Sequence, residues 1–298
     1  MDFDLLLFDR IEKIRQTNES LDLEHNAYLS FSGGKDSTVL HHLLDIALPG
    51  NKIPRVYINT GIEYNDVRLF VKKMAKTDKR IIIINSGVNI KRMLEEEGYP
   101  FKSKEHSLKV NEYKKGSRAP KIVKYKEGQD RYSCPKKLLY QYEKSFTLKI
   151  SNLCCYRLKK DIAKDWQIKN HKSIVLTGMR ADEGGQRSNL TCFTSNGKKF
   201  HPLVPIPNEW MDQFIKEFEI ELCRLYYPPF NFERTGCKGC PFNLHLQEDL
   251  DVMLKFLPEE RIQCEILWKK VYSEYRRRGY RLRPQLDLFE MELLQKVI

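Results

Sequence analysis

No run of about 18 consecutive apolar residues occurs in this 298-residue chain, so a membrane-spanning helix is not expected. The first residues, Met1-Asp2-Phe3-Asp4, lack the basic stretch and apolar run of a secretory leader, which makes the cytoplasm the default location. Internal repeats and low-complexity tracts are missing, which argues against solenoids and disordered arrays. Acidic charge is in deficit: 40 Asp and Glu stand against 52 Lys and Arg, a formal net charge of +12. That surplus favours acidic partners such as nucleotides or nucleic acid, and it also serves plain solubility. The length fits one large domain, or a main domain with a smaller appendage.

What is present is an alternation of short apolar runs and amphipathic stretches. Leu5, Phe8, Ile11 and Ile14 recur at helical spacing, which predicts an N-terminal helix within residues 1–26. Residues 27–32 read as a buried strand, Gly33-Gly34 breaks it, and helical character returns over residues 37–47. Arg55–Asn59 is a second strand, followed by a Thr60-Gly61 turn and a helix over residues 64–76. Residues 80–85 carry four consecutive isoleucines and read as a fully buried strand; residues 89–97 form a short helix, and residues 173–177 a further strand. The alternation predicts an α/β fold, a doubly wound parallel sheet with helices on both faces and ligands at the carboxyl ends of its strands. This domain is expected over residues 27–200. Residues 201–298 are expected to form a helical, cysteine-bearing C-terminal region, with Asn208 capping a helix that runs through Trp210 to Phe218.

Residues 100–137 interrupt the pattern. From Lys102 to Arg131 there are ten Lys or Arg against four acids, with Tyr113 and Tyr125 interspersed. The stretch reads as a basic insertion, a mobile loop or loosely packed arm. It is either a surface for nucleic acid or another phosphate-rich substrate, or a solvated loop.

The segment Ser30-Phe31-Ser32-Gly33-Gly34-Lys35-Asp36-Ser37-Thr38 lies between strand and helix. Gly33 and Gly34 allow a tight turn and close backbone approach. Exposed N–H groups at a helix N-terminus favour an anion. Lys35 supplies a cation for phosphate oxygens, and Ser32, Ser37 and Thr38 supply hydroxyls. Asp36 suits an anion site only if Mg²⁺ is shared with the phosphates. The spacing is not that of the Walker loop.

Ser-Gly-Gly-Lys-Asp-Ser after a strand resembles the PP-loop of the ATP pyrophosphatases, the adenine nucleotide alpha hydrolase-like superfamily that includes the phosphoadenosine phosphosulfate (PAPS) reductases. Asn59-Thr60-Gly61-Ile62-Glu63 falls where members of that superfamily contact the nucleotide, which implies roles for Thr60, Gly61 and Glu63. Thr177-Gly178-Met179-Arg180-Ala181-Asp182-Glu183, continued to Arg187, resembles the Thr-Gly-x-Arg loop of PAPS reductases. The resemblance implies that Gly178, Arg180 and Arg187 face phosphate or sulfate, for which guanidinium forks are suited. Glu183 is expected to hold an arginine in place. Lys35, Asp36 and Arg180 are the expected catalytic residues.

Of eight cysteines, Cys154-Cys155 and Cys237-Lys238-Gly239-Cys240 form the distinctive set. Together they resemble the Cys-Cys and Cys-x-x-Cys set that binds a [4Fe–4S] cluster in adenylylsulfate reductases. Four thiolates suit such a cluster, and zinc is the alternative. Cys223 and Cys264 read as core, while Cys134 and Cys192 are possible reactive thiols. The C-terminal Glu-Cys-Gly of assimilatory reductases has no counterpart between Arg281 and Ile298, which puts a thiosulfonate mechanism in doubt.

The resemblance implies binding of ATP, or of adenylyl sulfate or PAPS, with cleavage at the α-phosphate and release of pyrophosphate. Adenylate-activated sulfur chemistry would follow, with a sulfur or electron donor protein as partner and nucleic acid as a conceivable acceptor. Two other expectations stand beside it: reduction of adenylyl sulfate or PAPS to sulfite, and a non-catalytic nucleotide- or nucleic-acid-binding regulator with a structural cluster.

Overall fold

The structure is a computed structural model that describes residues 2–129, 133–183 and 187–286. The expected role of Glu183 concerns a side chain outside the described set, and residues 130–132 of the basic stretch also lie outside it. In chain order the elements begin with helices α1 (Phe3–Leu21) and α2 (Leu23–Asn26), strand β1 (Ala27–Ser30), α3 (Lys35–Ala47), β2 (Arg55–Asn59), α4 (Asn65–Thr77) and β3 (Ile81–Asn85). Helices α5 (Ile90–Glu97), α6 (Lys104–Lys114), α7 (Pro120–Glu127) and α8 (Asp161–Lys169) follow. Strands β4 (Ile174–Leu176), β5 (Phe193–Thr194) and β6 (Lys199–Phe200) then precede helices α9 (Asn208–Glu217), α10 (Leu246–Phe256) and α11 (Pro258–Arg278). The chain packs as two compact units, Met1–Ser86 with Asp161–Gly236 and Gly87–Lys160 with Cys237–Ile298. No helix among the described residues is long and apolar enough to cross a membrane.

The first unit holds the sheet, in the order β3-β2-β1-β4-β6-β5. All neighbours are parallel except β5 and β6. Strand order reverses direction at β1, with β2 on one side and β4 on the other. A crevice outside the carboxyl ends of the strands is expected at such a switch point. Both predicted ligand loops leave the sheet there, one after β1 and one after β4. Helices α4 and α8 pack against β3 and β2, and α3 contacts α1 and α9. At the amino edge of β2, the fully buried Arg55 bonds Asp45 and Asn51, both at 2.7 Å. A buried cation is tolerated only when paired and hydrogen-bonded in this way. That network fixes the edge of the sheet opposite the ligand loops.

Two expectations are corrected here. The buried face of α1 is Leu6, Arg10, Ile14 and Thr17, while Leu5 and Phe8 stay 62% and 63% exposed. Arg10 is on the buried face because its guanidinium donates to Pro202 O at 3.2 Å, a polar satisfaction that apolar periodicity does not register. Strand β3 is only partly covered: Ile81 is buried, but Ile82, Ile83 and Ile84 are half-buried, because β3 is an edge strand.

In the second unit, the basic stretch expected as a loop forms α6 and α7. Ser103 caps α6 by accepting from the His106 N–H at 3.1 Å, Pro120 opens α7, and Gly128 closes it with φ +81°. His106 is fully buried; Nδ1 lies 3.0 Å from the Tyr125 hydroxyl and Nε2 lies 2.7 Å from Gln141 Oε1. This bonding ties α6, α7 and the short 3₁₀ turn Lys136–Tyr142 together. Lys114, Lys115, Arg118, Lys121 and Lys124 remain exposed outside it. Helices α10 and α11 pack on each other.

Candidate functional site

The loop between β1 and α3 is held by its own hydroxyls. The Ser32 N–H donates to Ser37 Oγ at 3.2 Å, and the Gly34 N–H donates to Ser32 Oγ at 3.3 Å. Ser37 and Thr38 both return their hydroxyls to Gly34 O at 3.0 Å. Gly33 has φ +71°, and a Cβ there would stand 2.6 Å from Val71 Cγ2, so α4 packs directly on the turn. The loop thus gathers N–H groups at the start of α3, where the helix dipole adds positive potential. Lys35 Nζ lies 3.4 Å from Asp212 Oδ1, an acidic partner that spacing did not suggest.

The loop after β4 closes on this turn. A Cβ on Gly178 would lie 2.8 Å from the carbonyl carbon and oxygen of Asp36, which only glycine avoids. Arg180 is 4% exposed. Its Nε donates to Asp36 Oδ1 at 2.9 Å, Nη1 to Ile206 O at 3.1 Å, and Nη2 to Asn208 Oδ1 at 2.8 Å. Arg180 therefore orients the loop carboxylate from behind. Arg187 has its pKa lowered by burial and by the neighbouring cations Arg234 and Arg180, with Asp36 opposing. Positive charge is concentrated here, the condition an anion relieves. Asn208 begins α9 but does not cap it through its side chain; its N–H donates to Asp182 at 3.0 Å, so Asp182 is the acidic partner at that helix start.

The turn after β2 also abuts the carboxyl edge of the sheet. Glu63 is buried and turns back on Thr60, accepting from its N–H at 3.0 Å and its hydroxyl at 2.7 Å. Gly61 has φ +84°. Glu63 shapes the turn, and the turn's backbone faces the same edge as the phosphate loop. Tyr226 and Thr235 are the members that sequence reasoning missed. The Tyr226 hydroxyl accepts from the Lys35 N–H at 2.9 Å and lies 2.8 Å from Thr235 Oγ1. Their separation from the loop by some 190 residues left no local signal.

The four chosen cysteines all fall in the second unit. The Cys154 thiol donates to Cys155 Sγ at 4.0 Å. That donation holds the Cys155 thiol down to about 6 against the opposing effect of burial, with Lys104, Lys159 and Lys160 assisting. Cys154 is pushed up by donating that bond, then by burial and by the charges of Cys155, Cys240 and Cys237. Burial pushes Cys240 up, with Cys237 and Cys155 adding to it. The four sulfurs therefore sit within one another's field.

The turn through residues 237–240 hangs from α11. Trp268 Nε1 donates to Lys238 O at 3.2 Å, the Tyr272 hydroxyl to Gly239 O, and the Tyr275 hydroxyl to Pro241 O at 2.8 Å. Gly239 has φ +58°, and a Cβ there would meet Tyr272 Oη at 2.5 Å and Cys264 Sγ at 2.6 Å. Among the remaining thiols, Cys223 and Cys264 are buried, as core residues should be. Cys134 is buried too and pushed up to about 11 by burial, which argues against the reactive role considered for it. Cys192 accepts from Arg10 Nη1 at 3.7 Å.

Four sulfurs with lysines beside them suit an anionic thiolate cluster. Among the described residues, however, no three His, Cys, Asp or Glu side chains stand in an arrangement that would hold a single metal ion, so a cluster requires the four thiols to rearrange. Asp36 is the loop's carboxylate. One carboxylate beside phosphate oxygens is a common way of holding Mg²⁺, and that fits a nucleotide-borne ion.

The chain is 34% identical over 103 residues to an uncharacterized protein of Methanocaldococcus jannaschii, a match covering 32% of this chain and 25% of that protein. The chain thus spans about a quarter of that relative's length. Solved structures with distant likeness include PAPS reductase from Candida auris in a phosphate complex, at 15% identity and TM-score 0.42, covering 76% of this chain and 93% of that one. An NH3-dependent NAD synthetase from Campylobacter jejuni matches at 10% identity and TM-score 0.45, covering 92% and 96%. A U34-tRNA thiolase from Methanococcus maripaludis, solved with its [4Fe–4S] cluster, matches at 14% identity and TM-score 0.40, covering 98% and 80%. The family model for the phosphoadenosine phosphosulfate reductase domain matches residues 26–243, well over half of the chain, and this protein belongs to that family.

Proposed function

We propose that the protein binds ATP or a related adenine nucleotide on residues 32–38 and uses it to activate an acceptor oxygen for sulfur chemistry. The observation that carries this reading is the turn between β1 and α3. It gathers N–H groups at a helix start beside Lys35 and Arg187, at the switch point of a parallel sheet. The acceptor oxygen attacks the α-phosphate. An O–P bond forms, the bridge between α- and β-phosphates breaks, and pyrophosphate leaves with the electron pair. Lys35 and the loop amides stabilise the charge that grows on the leaving phosphates. Asp36, aimed by Arg180, would hold Mg²⁺ against them. A sulfur donor of the thiol or sulfide class then displaces AMP from the acceptor.

Cys154, Cys155, Cys237 and Cys240 would hold the [4Fe–4S] cluster, with zinc as the alternative occupant. When bound, such a cluster supplies electrons or a landing place for sulfur. The chain's own contribution is to seat it: α11 fixes the Cys-x-x-Cys turn through three hydrogen bonds. The exposed cations of α6 and α7 support nucleic acid as the acceptor.

Pyrophosphate release from ATP by anaerobically purified protein tests this reading. Lys35→Ala is expected to reduce it by about a hundredfold or more; unchanged release would remove the role given to Lys35. Membership of the PAPS reductase family favours a second reading, reduction of adenylyl sulfate or PAPS. Sulfite release from either compound, with a reductant and without pyrophosphate formation from ATP, would select it. Nucleotide binding with neither product would leave a regulator.

A further inference from the structure

Three amides of the phosphate loop are already bonded in this structure, and each bond ends on a hydroxyl. Ser32 N–H donates to Ser37 Oγ, Gly34 N–H to Ser32 Oγ, and Lys35 N–H to Tyr226 Oη at 2.9 Å. The first two acceptors belong to the loop. Tyr226 does not: it lies on the short turn Arg224–Tyr226, far along the chain. Its hydroxyl accepts from Lys35, so its own proton is free for Thr235 Oγ1 at 2.8 Å. Gly34 makes room for it, since a Cβ there would stand 3.1 Å from Tyr226 Oη.

The Lys35 N–H is one of the first amides of α3, which have no acceptor inside the helix. The same amide is a natural donor to a phosphate oxygen. An anionic oxygen is a stronger acceptor than a neutral phenol, and at a helix start it gains from the dipole as well. A phenol oxygen and a phosphate oxygen cannot both take the direct position on one amide hydrogen.

We propose that the Tyr226 hydroxyl holds the place of a nucleotide phosphate oxygen at the Lys35 amide and is displaced when the nucleotide binds. The inference rests on the nucleotide reading of residues 32–38. Tyr226 is a positioning residue under this proposal. It occupies the Lys35 amide before binding and opposes binding by the strength of one hydrogen bond. Displacement also releases Thr235 from its partner.

The test compares wild type, Tyr226→Phe and Thr235→Val by calorimetric titration with ATP, pyrophosphate and adenosine. Tyr226→Phe keeps the ring and removes the competing acceptor. It is expected to bind ATP and pyrophosphate about three- to tenfold more tightly, the worth of about one hydrogen bond. Adenosine, which has no phosphate, is expected to bind equally to both proteins. Thr235→Val loosens the hydroxyl's anchor and is expected to move ATP affinity in the same direction by a smaller factor. Damage to the fold would weaken binding, so a gain separates displacement from a merely structural role. Equal or weaker ATP binding by Tyr226→Phe, beside normal binding by wild type, overturns the displacement and leaves the nucleotide reading standing. Should Tyr226→Phe fail to fold, the sign of the Thr235→Val shift decides in the same way. A wild-type protein that takes up neither ATP nor pyrophosphate overturns both.

Discussion

The phosphate loop and the Cys-x-x-Cys turn are built alike and tethered with opposite polarity. Each is a tight turn around a glycine with positive φ, Gly33 in one and Gly239 in the other, and each is held by aromatic side chains from distant sequence. In the phosphate loop the tether accepts: Tyr226 takes an N–H that an anion would use. In the cysteine turn the tethers donate: Trp268, Tyr272 and Tyr275 occupy the carbonyls of Lys238, Gly239 and Pro241. A loop that must admit an anion keeps its amides on an exchangeable partner. A turn that presents sulfur benefits when its carbonyl dipoles are tied elsewhere, away from the negative thiolates. The first arrangement suits exchange of a ligand, and the second suits permanent placement of side chains.

The sharpest way to break the comparison is Gly239→Ala. A Cβ there would sit within 2.8 Å of Tyr272 Oη, Cys264 Sγ and Cys264 Cβ, in a backbone conformation with φ +58°. Strained φ and overpacking together cost about 2–5 kcal/mol. Thermal unfolding should shift strongly downward, and the iron or zinc retained on anaerobic purification should fall with it. Gly34→Ala is the milder counterpart in the phosphate loop: its Cβ would meet Tyr226 Oη at 3.1 Å, without positive φ, and a side chain can yield. If the two substitutions cost the same, the cysteine turn is no more rigidly placed than the phosphate loop.

Much of the phosphate loop's setting was legible because its signals are local. Gly33-Gly34 between an apolar run and an amphipathic stretch specifies a strand–turn–helix unit whatever lies elsewhere, and alternation of such units specifies a parallel sheet. Positions were misread where burial depends on polar satisfaction or sheet order: Arg10 inside, Leu5 and Phe8 outside, and isoleucines half-covered on edge strand β3. The second unit was less legible. In α6 and α7 the buried positions His106, Val110, Ile122 and Tyr125 are diluted by lysines, so helical periodicity disappears into the charge. Adjacency and Cys-x-x-Cys spacing single out four cysteines, and the structure puts all four in the second unit. The aromatic tethers of both loops were not legible, because a hydrogen bond between residues far apart leaves no trace in either local pattern.

Arg180→Ala would sharpen the comparison from the other side. Arg180 is buried and bonds Asp36, Ile206 O and Asn208, so its loss removes the donor shared by three acceptors at the starts of α3 and α9. Removing one partner of a fully buried pair costs about 3–5 kcal/mol. Asp36 is about a third exposed, so solvent screening reduces this to about 2–3 kcal/mol. Urea unfolding should show that loss. If Arg180 acts through Asp36, ATP affinity measured with Mg²⁺ should fall more than affinity measured without it. An equal fall in both would mean that Arg180 supports the loop alone.

Near neutral pH the smallest effect comes from the histidines, which separate the two units as the pH falls. Burial pushes His106 down to about 4, with Lys102 and Arg281 adding to the shift and Gln141 opposing it. The neutral ring suits both partners: the Tyr125 hydroxyl donates to Nδ1, and Nε2–H donates to Gln141 Oε1. The folded pKa lies below the ordinary value of about 6.5, so the unfolded chain binds the proton first as pH falls. The stability His106 contributes is complete above about 6.5 and is lost progressively down to about 4, at about 1.4 kcal/mol per pH unit. His41, pushed down to about 4 by burial and by Arg55, gives the first unit the same sign of dependence. Replacing His106 by Gln should flatten the pH dependence of unfolding in that window by about one proton, leaving the shares from His41, His42 and His201, all pushed down by burial. Hydrogen exchange resolved along the chain locates the change: the flattened dependence belongs to α6, α7 and the turn Lys136–Tyr142, while α3 keeps its slope. Parallel slopes for wild type and His106→Gln would mean that the ring is already reached by solvent, and that the basic helices are less firmly packed than their buried hydrogen bonds require.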